Sequence, residues 1–305
     1  MSRRLRLLNA LLRGVCRPFL KRTKSPERAR RDFDLAARVV FRGPRGSSSR
    51  RAIGGVAALE VRPTGIADAP VLLYFHGGGY IAGSARSHLP MVGHLASAAG
   101  IRTVIPDYRL APDNPFPAAF EDALAVWSGL LSEGVAANQI VLGGDSAGGG
   151  LALALMARLL QTGDRPAGLF AFSPWTDLSC GGASLVENAD RDAILPVERI
   201  RELRGMVAPD SDPKDPRLSP LFAVFDGAPP VYLQVSESEI LRDDTLALAS
   251  RLEGSGVDTR VDTWPDAPHV WQIFCGWVPE ADEALDRAAE FIRSRIKVSP
   301  PRSES

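Results

Sequence analysis

From about residue 70 onward, short runs of apolar residues alternate with longer segments of helical pattern. The predicted strands are the apolar runs at residues 71–75, 101–105, 140–142, 169–172 and 231–235, and the more polar run at 259–264. The helical segments are residues 91–99, 118–131, 147–161, 245–253 and 281–296. Short buried strands that alternate with helices are typical of a mainly parallel sheet with helices on both faces. The pattern therefore predicts an α/β fold, in which functional residues follow the carboxyl ends of the strands.

The overall composition excludes several classes of protein. Hydrophobic residues make up 45% of the 305 residues and charged residues 24%, as in ordinary globular proteins. The 36 Lys and Arg residues balance 36 Asp and Glu residues, which argues against a nucleic-acid-binding protein. The three cysteines, Cys16, Cys180 and Cys275, are too far apart for a disulfide framework or a thiolate metal site. We therefore expect a reduced, cytoplasmic setting.

The N-terminal segment differs from the rest in charge. Residues 1–30 contain ten Arg and Lys residues against Glu27 as the one acid, a net charge of +9. Apolar residues recur there at helical spacing, at Leu5, Leu8, Leu12, Val15 and Phe19. Arg6, Arg13 and Arg17 fall on the opposite face. The favoured interpretation is a surface helix that packs its apolar stripe on the protein. The alternatives are a helix lying on an anionic membrane and a cleaved targeting segment.

A candidate nucleophile follows the run at residues 140–142. Gly144-Asp145-Ser146-Ala147-Gly148 has the form G-x-S-x-G and stands between a predicted strand and a predicted helix, as that motif requires. A serine at the tip of a sharp turn needs small neighbours, and the helix N-terminus beneath it favours developing negative charge. The alternative is a glycine-rich turn with an incidental serine.

A candidate oxyanion hole follows the run at residues 71–75. In His76-Gly77-Gly78-Gly79, three glycines would let backbone N–H groups approach a substrate oxygen. Residues 77–82 also fit the dinucleotide-binding pattern G-x-G-x-x-G/A. That pattern should open directly into a helix, whereas Gly83 and Pro90 indicate a loop first. Asp107, the best ribose-binding candidate, lies 30 residues beyond Gly77 rather than about 20. The dinucleotide interpretation is therefore disfavoured.

A general base and an acid should follow later strands. Of the four histidines, His269 comes just after the run at residues 259–264. His88 and His94 lie near a predicted helix and are expected to be structural, and no pair has zinc-ligand spacing. The acid is expected between Ser146 and His269 in the chain. Four carboxylates follow the run at residues 231–235, and the residues alone leave all four open: Glu237, Glu239, Asp243 and Asp244.

Taken together, these motifs resemble the hormone-sensitive-lipase-like family of α/β-hydrolase esterases, over residues 55–297. The matching segments are His76 to Gly79, Asp107 to Pro112, Phe116 to Ala119 with Glu121-Asp122, Gly144 to Gly148, Ser173 to Leu178, Ser219 to Leu221 and Pro268 to Val270. No single segment is specific for this family, but the whole set of segments in this order is specific for it.

The resemblance implies a role for each site residue. Ser146 would be the nucleophile, His269 the base and Glu239 the acid. The implied oxyanion donors are the N–H groups of Gly78, Gly79 and Ala147, with Gly77 as a further contributor and His76 as a structural brace. Many family members have Asp-Pro where this chain has Glu239-Ile240, so Asp243 is the second candidate for the acid.

The resemblance also implies an α/β-hydrolase fold with a helical cap. We expect an N-terminal cap segment at residues 1–50, a catalytic domain at 51–297 with a second cap segment at 179–216, and a disordered tail at 298–305. The implied activity is a serine carboxylesterase acting on small-molecule esters with short to medium acyl chains, without metal or organic cofactor. Relatives often dimerise, which makes a homodimer an open option. A non-catalytic receptor, a lactone hydrolase and a deacetylase are the alternatives.

Overall fold

A central sheet organises the computed structural model, which describes residues 1–23, 25–43, 48–66 and 70–296. The strands are β1 (Ser48–Ile53), β2 (Val56–Val61), β3 (Val71–Phe75), β4 (Arg102–Pro106), β5 (Ile140–Asp145), β6 (Gly168–Phe172), β7 (Val231–Ser236) and β8 (Thr259–Trp264). Their order in the sheet is β1-β2-β4-β3-β5-β6-β7-β8. β3 to β8 pair in parallel, whereas β1 and β2 join in antiparallel fashion. The predicted α/β fold with a mainly parallel sheet is confirmed.

The first two strands were not predicted from the sequence. β1 carries Arg50 and Arg51 and is largely exposed, because it forms one edge of the sheet. β2 follows after a tight turn at Gly54 and Gly55, which both have positive φ. An exposed edge strand such as β1 carries mainly polar residues and lacks the apolar run that identified the parallel strands. β2 has an apolar stretch at residues 56–59, but it precedes the regular alternation of strands and helices that begins near residue 70.

Helices cover both faces of the sheet. Their bounds are α1 (Arg3–Leu11), α2 (Arg17–Arg22), α3 (Pro26–Val40), α4 (Ala85–Ala99), α5 (Ala118–Ser132), α6 (Ser146–Thr162), α7 (Ser184–Glu187), α8 (Val197–Val207), α9 (Arg242–Gly254) and α10 (Pro279–Arg295). α4 and α10 pack on one face, and α5, α6 and α9 pack on the other. The sheet is therefore buried between two apolar layers, which fixes the strand ends where the site lies.

The N-terminal stripe packs only in its first half. Leu5 and Leu12 are buried, but Val15 and Phe19 are 59% and 41% exposed. The reason is a π-helical turn at Leu12–Cys16, immediately before Pro18. A π turn holds one residue more than an α turn, so the apolar positions beyond it rotate away from the protein. The expectation that the whole stripe packs is wrong for its second half.

The two expected cap segments contact each other. Arg17 in α2 donates to the carbonyl of Ala189, and Lys21 pairs with Glu198 of α8 at 2.8 Å. The division of the chain at residue 50 falls within β1, so the sheet begins slightly earlier than expected. The tail at residues 298–305 lies outside the described residues. None of the described helices combines the length and the apolar character needed to span a bilayer.

Candidate active site

Ser146 stands on a sharp turn between β5 and α6. It is the first residue of α6 and has a left-handed backbone with φ of +51°. The turn needs glycine on both sides: a Cβ on Gly144 would lie 2.5 Å from the backbone of Gly148. A Cβ on Gly148 would lie 2.1 Å from the carbonyl oxygen of Phe75. The spacing of the motif therefore follows from backbone contact within the turn and with β3.

The glycine-rich loop after β3 lies against this turn. Gly78 and Gly79 have φ of +119° and +63°, which few residues other than glycine adopt. The N–H of Gly77 donates to Oδ1 of Asp145 at 3.0 Å, so it is not free to bind a substrate oxygen. The N–H groups of Gly78 and Gly79 make no hydrogen bond to any of the described residues. Ala147 is the second residue of α6, where a helix offers its N–H without an internal acceptor.

His269 lies in the loop that follows β8, and its ring connects two other site residues. Nε2 is 2.9 Å from Oγ of Ser146. Nδ1 is 2.6 Å from Oε2 of Glu239, in the turn after β7. The structure therefore brings together three residues from three separate strand ends, in one line of hydrogen bonds.

Burial and hydrogen bonding shift the pKa values of the Glu239 carboxyl and the His269 ring. Burial raises the pKa of the Glu239 carboxyl, and the contact with His269 offsets only part of that rise. Burial alone would lower the pKa of His269, but the hydrogen bond to Glu239 and the negative charges of Glu239, Asp192 and Asp145 together outweigh burial, and the pKa is raised. Such an arrangement stabilises a positive charge on the ring. The ring can therefore accept a proton from Ser146 and remain held by the carboxylate.

Comparisons with known proteins identify the family of this chain. A sequence profile of the α/β hydrolase fold matches residues 72–273. A crystal structure of an esterase from the bacterial hormone-sensitive lipase family is 37% identical, with a TM-score of 0.91 over 97% of this chain and 99% of that chain. The chain belongs to the hormone-sensitive-lipase-like family of α/β-hydrolase esterases. The predicted resemblance is confirmed, and the protein is a carboxylic ester hydrolase.

Curated relatives of this esterase have similar lengths. An esterase of Acinetobacter venetianus is 33% identical over 287 residues, covering 93% of this chain and 94% of that protein. An acetyl-hydrolase of Streptomyces hygroscopicus is 37% identical over 243 residues, covering 79% of this chain and 81% of that protein. The similarity to these two proteins thus extends over most of the chain.

The other three candidate carboxylates make no hydrogen bond to the ring of His269 in the part of the chain that the structure describes. Asp243 accepts from the N–H of Ser184 at 2.8 Å. Asp244 accepts from the N–H groups of Thr176 and Asp177, each at 2.8 Å, and burial raises its pKa to about 7. Glu237 is partly exposed. Of the four, Glu239 is the residue that contacts the ring.

Behind the glycine loop lies a buried polar cluster. Asp145 accepts from Tyr74 Oη at 2.8 Å and lies 3.4 Å from Nε2 of His88. Burial would raise the pKa of Asp145, but His88, the hydrogen bond from Tyr74 and the nearby His76 together reverse the direction, and the pKa is lowered. An ionised Asp145 holds the loop through the N–H of Gly77. His88, expected to be structural, thus supports the carboxylate next to Ser146.

His76 lies where the resemblance implies a brace. Its Nδ1 is 2.8 Å from the carbonyl oxygen of Gly77, and its ring stacks on Tyr108 with 4.3 Å between centroids. Tyr108 Oη in turn donates to the carbonyl of His76 at 2.7 Å. Burial lowers the pKa of His76 to about 3, so the ring is neutral. These contacts fix the loop without any charge on the histidine.

Two serines at this site had no assigned role in the sequence analysis. Ser173, directly after β6, donates to Oε1 of Glu239 at 2.8 Å. The N–H of Ser236, the last residue of β7, donates to the same oxygen at 2.8 Å. Their position at strand ends was visible in the sequence, but their partner was not. The Ser173 contact joins segments 66 residues apart, and the Ser236 contact is made by a backbone N–H, which side-chain pattern does not reveal.

Among the described residues, no group of three or more His, Cys, Asp or Glu side chains has an arrangement that could hold a metal ion.

From the cap, Leu203 of α8 reaches the glycine loop: a Cβ on Gly79 would lie 2.8 Å from Cδ1 of Leu203. The side chain of Leu203 thus forms part of the wall next to the candidate oxyanion hole.

Proposed function

We propose that this esterase hydrolyses small carboxylic esters with short to medium acyl chains through an acyl-enzyme intermediate on Ser146. The observation that carries the proposal is the line of hydrogen bonds from Ser146 through His269 to Glu239, at 2.9 and 2.6 Å. A hydroxyl is a weak nucleophile, and an adjacent base oriented by a third group activates it.

In the proposed acylation step, Oγ of Ser146 attacks the ester carbonyl and its proton passes to Nε2 of His269. Glu239 holds the Nδ1–H and stabilises the imidazolium. When the tetrahedral intermediate collapses, His269 returns the proton to the leaving alcohol. Water then attacks the acyl-enzyme, with His269 again as base, and releases the carboxylic acid.

The proposed oxyanion donors are the N–H groups of Gly78, Gly79 and Ala147. The free amides of the two glycines and the position of Ala147 in the first turn of α6 support this assignment. A single donor of this kind lowers the barrier by about 3–4 kcal/mol.

The position of Leu203 supports the preference for modest acyl chains. It lies against Gly79 and reduces the space next to the reacting carbonyl. The similarity to an acetyl-hydrolase of Streptomyces hygroscopicus, 37% identical over 243 residues, also supports a small acyl group.

The test replaces the nucleophile. With Ser146→Ala, hydrolysis of p-nitrophenyl acetate, butyrate and octanoate should fall by at least about 10⁴-fold in kcat, and a fluorophosphonate probe should no longer label the protein. Ser132→Ala, at an exposed serine that bonds only within α5, is the matched control and should keep both properties. Turnover by Ser146→Ala at the wild-type rate, or labelling of a different residue, would contradict the proposal.

A further inference from the structure

Asn188, from the second cap segment, contacts the backbone around Glu239. It directly follows α7 and is fully buried. Its Nδ2 donates to the carbonyl oxygens of Glu237 and Glu239, at 2.9 and 2.7 Å. Its Oδ1 accepts from Arg191 at 2.9 Å, so the amide group is held on both sides.

Asp192, four residues after Asn188 in the chain, contacts the same turn around Glu239. It is 1% exposed, and its N–H donates to the carbonyl of Asn188 at 2.9 Å. Oδ2 accepts from the N–H of Ile240, the residue after Glu239, at 3.0 Å. Oδ1 accepts from the N–H groups of Ile194 and Leu195, each at 2.9 Å. One buried carboxylate thus joins the cap segment to the turn that carries the acid.

We propose that Asn188 and Asp192 are positioning residues through which the second cap segment holds Glu239 against His269. The inference rests on the proposed function. Asn188 fixes the carbonyl of Glu239, and Asp192 fixes the next peptide N–H, so the backbone on the C-terminal side of the acid is held at two points. Neither residue makes a hydrogen bond to Ser146 or His269. Asn188 therefore acts on the reaction through the orientation of Glu239, and Asp192 acts through that orientation and through its charge.

Asp192 also contributes to the electrostatic environment of the ring. The charged groups that act on His269 are Glu239 from the turn after β7, Asp192 from the cap segment and Asp145 from the end of β5, and each raises the pKa of His269. Asp266, on the same loop as His269, is paired with Arg13 at 3.3 Å. Removal of the charge at Asp192 should therefore lower the pKa of His269.

Asp192→Asn tests the inference, because it keeps the size of the side chain and one acceptor oxygen but removes the charge. We expect kcat for p-nitrophenyl acetate to fall by about tenfold or more, with little change in KM. The acid limb of the kcat/KM profile should move to lower pH. Asp190→Asn is the matched control: it makes the same change of charge two residues away, at an exposed side chain. It should leave kcat and the acid limb unchanged.

Asn188→Ala provides a second variant, which keeps Asp192 and removes both donors to the turn. It should also lower kcat by about tenfold without an equal rise in KM. Thermal unfolding of each variant shows whether the chain folds. If both variants fold, and have the kcat and pH profile of Asp190→Asn, the inference is overturned. Full activity of Ser146→Ala would instead overturn the proposed function.

Discussion

Oγ of Ser173 lies 2.8 Å from Oε1 of Glu239, the carboxylate oxygen that faces away from His269. Ser173 is fully buried, directly follows β6 and has φ of +46°. The other oxygen, Oε2, lies 2.6 Å from Nδ1 of His269. Both oxygens of the acid are therefore held by side chains from neighbouring strand ends, which fixes the rotation of the carboxylate.

Ser173→Ala should reduce kcat by about tenfold, because loss of a hydrogen bond to a charged group costs about 1.5–3 kcal/mol and part of that loss reaches the barrier. KM should change little, since Ser173 is fully buried and acts through Glu239. Steady-state kinetics with p-nitrophenyl butyrate checks this, with Ser132→Ala as the surface control. An unchanged kcat would show that Ser236 alone holds the carboxylate.

Glu239→Gln should lower kcat by about 10³- to 10⁴-fold, because a neutral amide neither stabilises the imidazolium nor fixes the correct tautomer. Asp243→Asn should keep kcat within about threefold, since a single hydrogen bond outside the reacting line is worth little to the barrier. Asp243 accepts from Ser184 rather than from His269. Measurement of kcat for the two purified variants side by side shows which carboxylate acts as the acid. If only Asp243→Asn lost activity, the acid would be wrongly assigned.

The pH dependence should show an acid limb above the ordinary histidine value of about 6.5. In the proposed mechanism His269 must be neutral to accept the proton. Burial lowers its pKa, but the hydrogen bond to Glu239 and the nearby carboxylate charges together outweigh burial and raise it. A raised pKa keeps the ring protonated at higher pH, so activity is lost as pH falls through that value. The kcat/KM profile of the free enzyme measures it. A midpoint clearly below 6 would contradict the direction of the shift.

Gly148→Ala should destabilise the fold by about 3 kcal/mol, because the new methyl group meets backbone that cannot move aside easily. The added Cβ would lie 2.1 Å from the carbonyl oxygen of Phe75. Gly205→Ala is the control: it lies within α8 with nothing within 4 Å of the new Cβ. There the same substitution should stabilise by about 0.5–1 kcal/mol. Urea unfolding of both variants compares the two, and equal stability of both would disprove the contact.

Leu203→Ala should widen the space next to Gly79 and raise kcat/KM for p-nitrophenyl octanoate relative to acetate by about tenfold. Leu203→Phe should shift the ratio in the opposite direction, because the larger ring would fill more of the space next to Gly79. Leu246→Ala, at a leucine of α9 that is 37% exposed, controls for a general effect of losing a leucine. A chain-length series measures the ratio, and an equal ratio for all four proteins would remove Leu203 from the acyl site.

Much of the fold was predictable because its signals are local. Each buried parallel strand appears as a short run rich in apolar residues, and each turn after such a run begins with glycine, proline or a polar residue. Ser146 was identifiable from five consecutive residues, since the steric needs of its turn involve Gly144 and Gly148. β1 escaped prediction because an exposed edge strand carries no comparable pattern, and β2 because it precedes the regular alternation of strands and helices. The prediction that the whole N-terminal apolar stripe packs on the protein was only partly right, because the π turn at Leu12–Cys16 rotates the later apolar residues away.

The sequence by itself determined the layered α/β fold and the strand ends from which the site residues come. It did not determine which of four carboxylates faces His269, nor that Ser173, Asn188 and Asp192 surround Glu239. Those contacts join segments 48 to 66 residues apart in the chain. Local pattern specifies helices, strands and turns, whereas the choice between neighbouring side chains depends on how distant segments pack, and only the tertiary structure decides it.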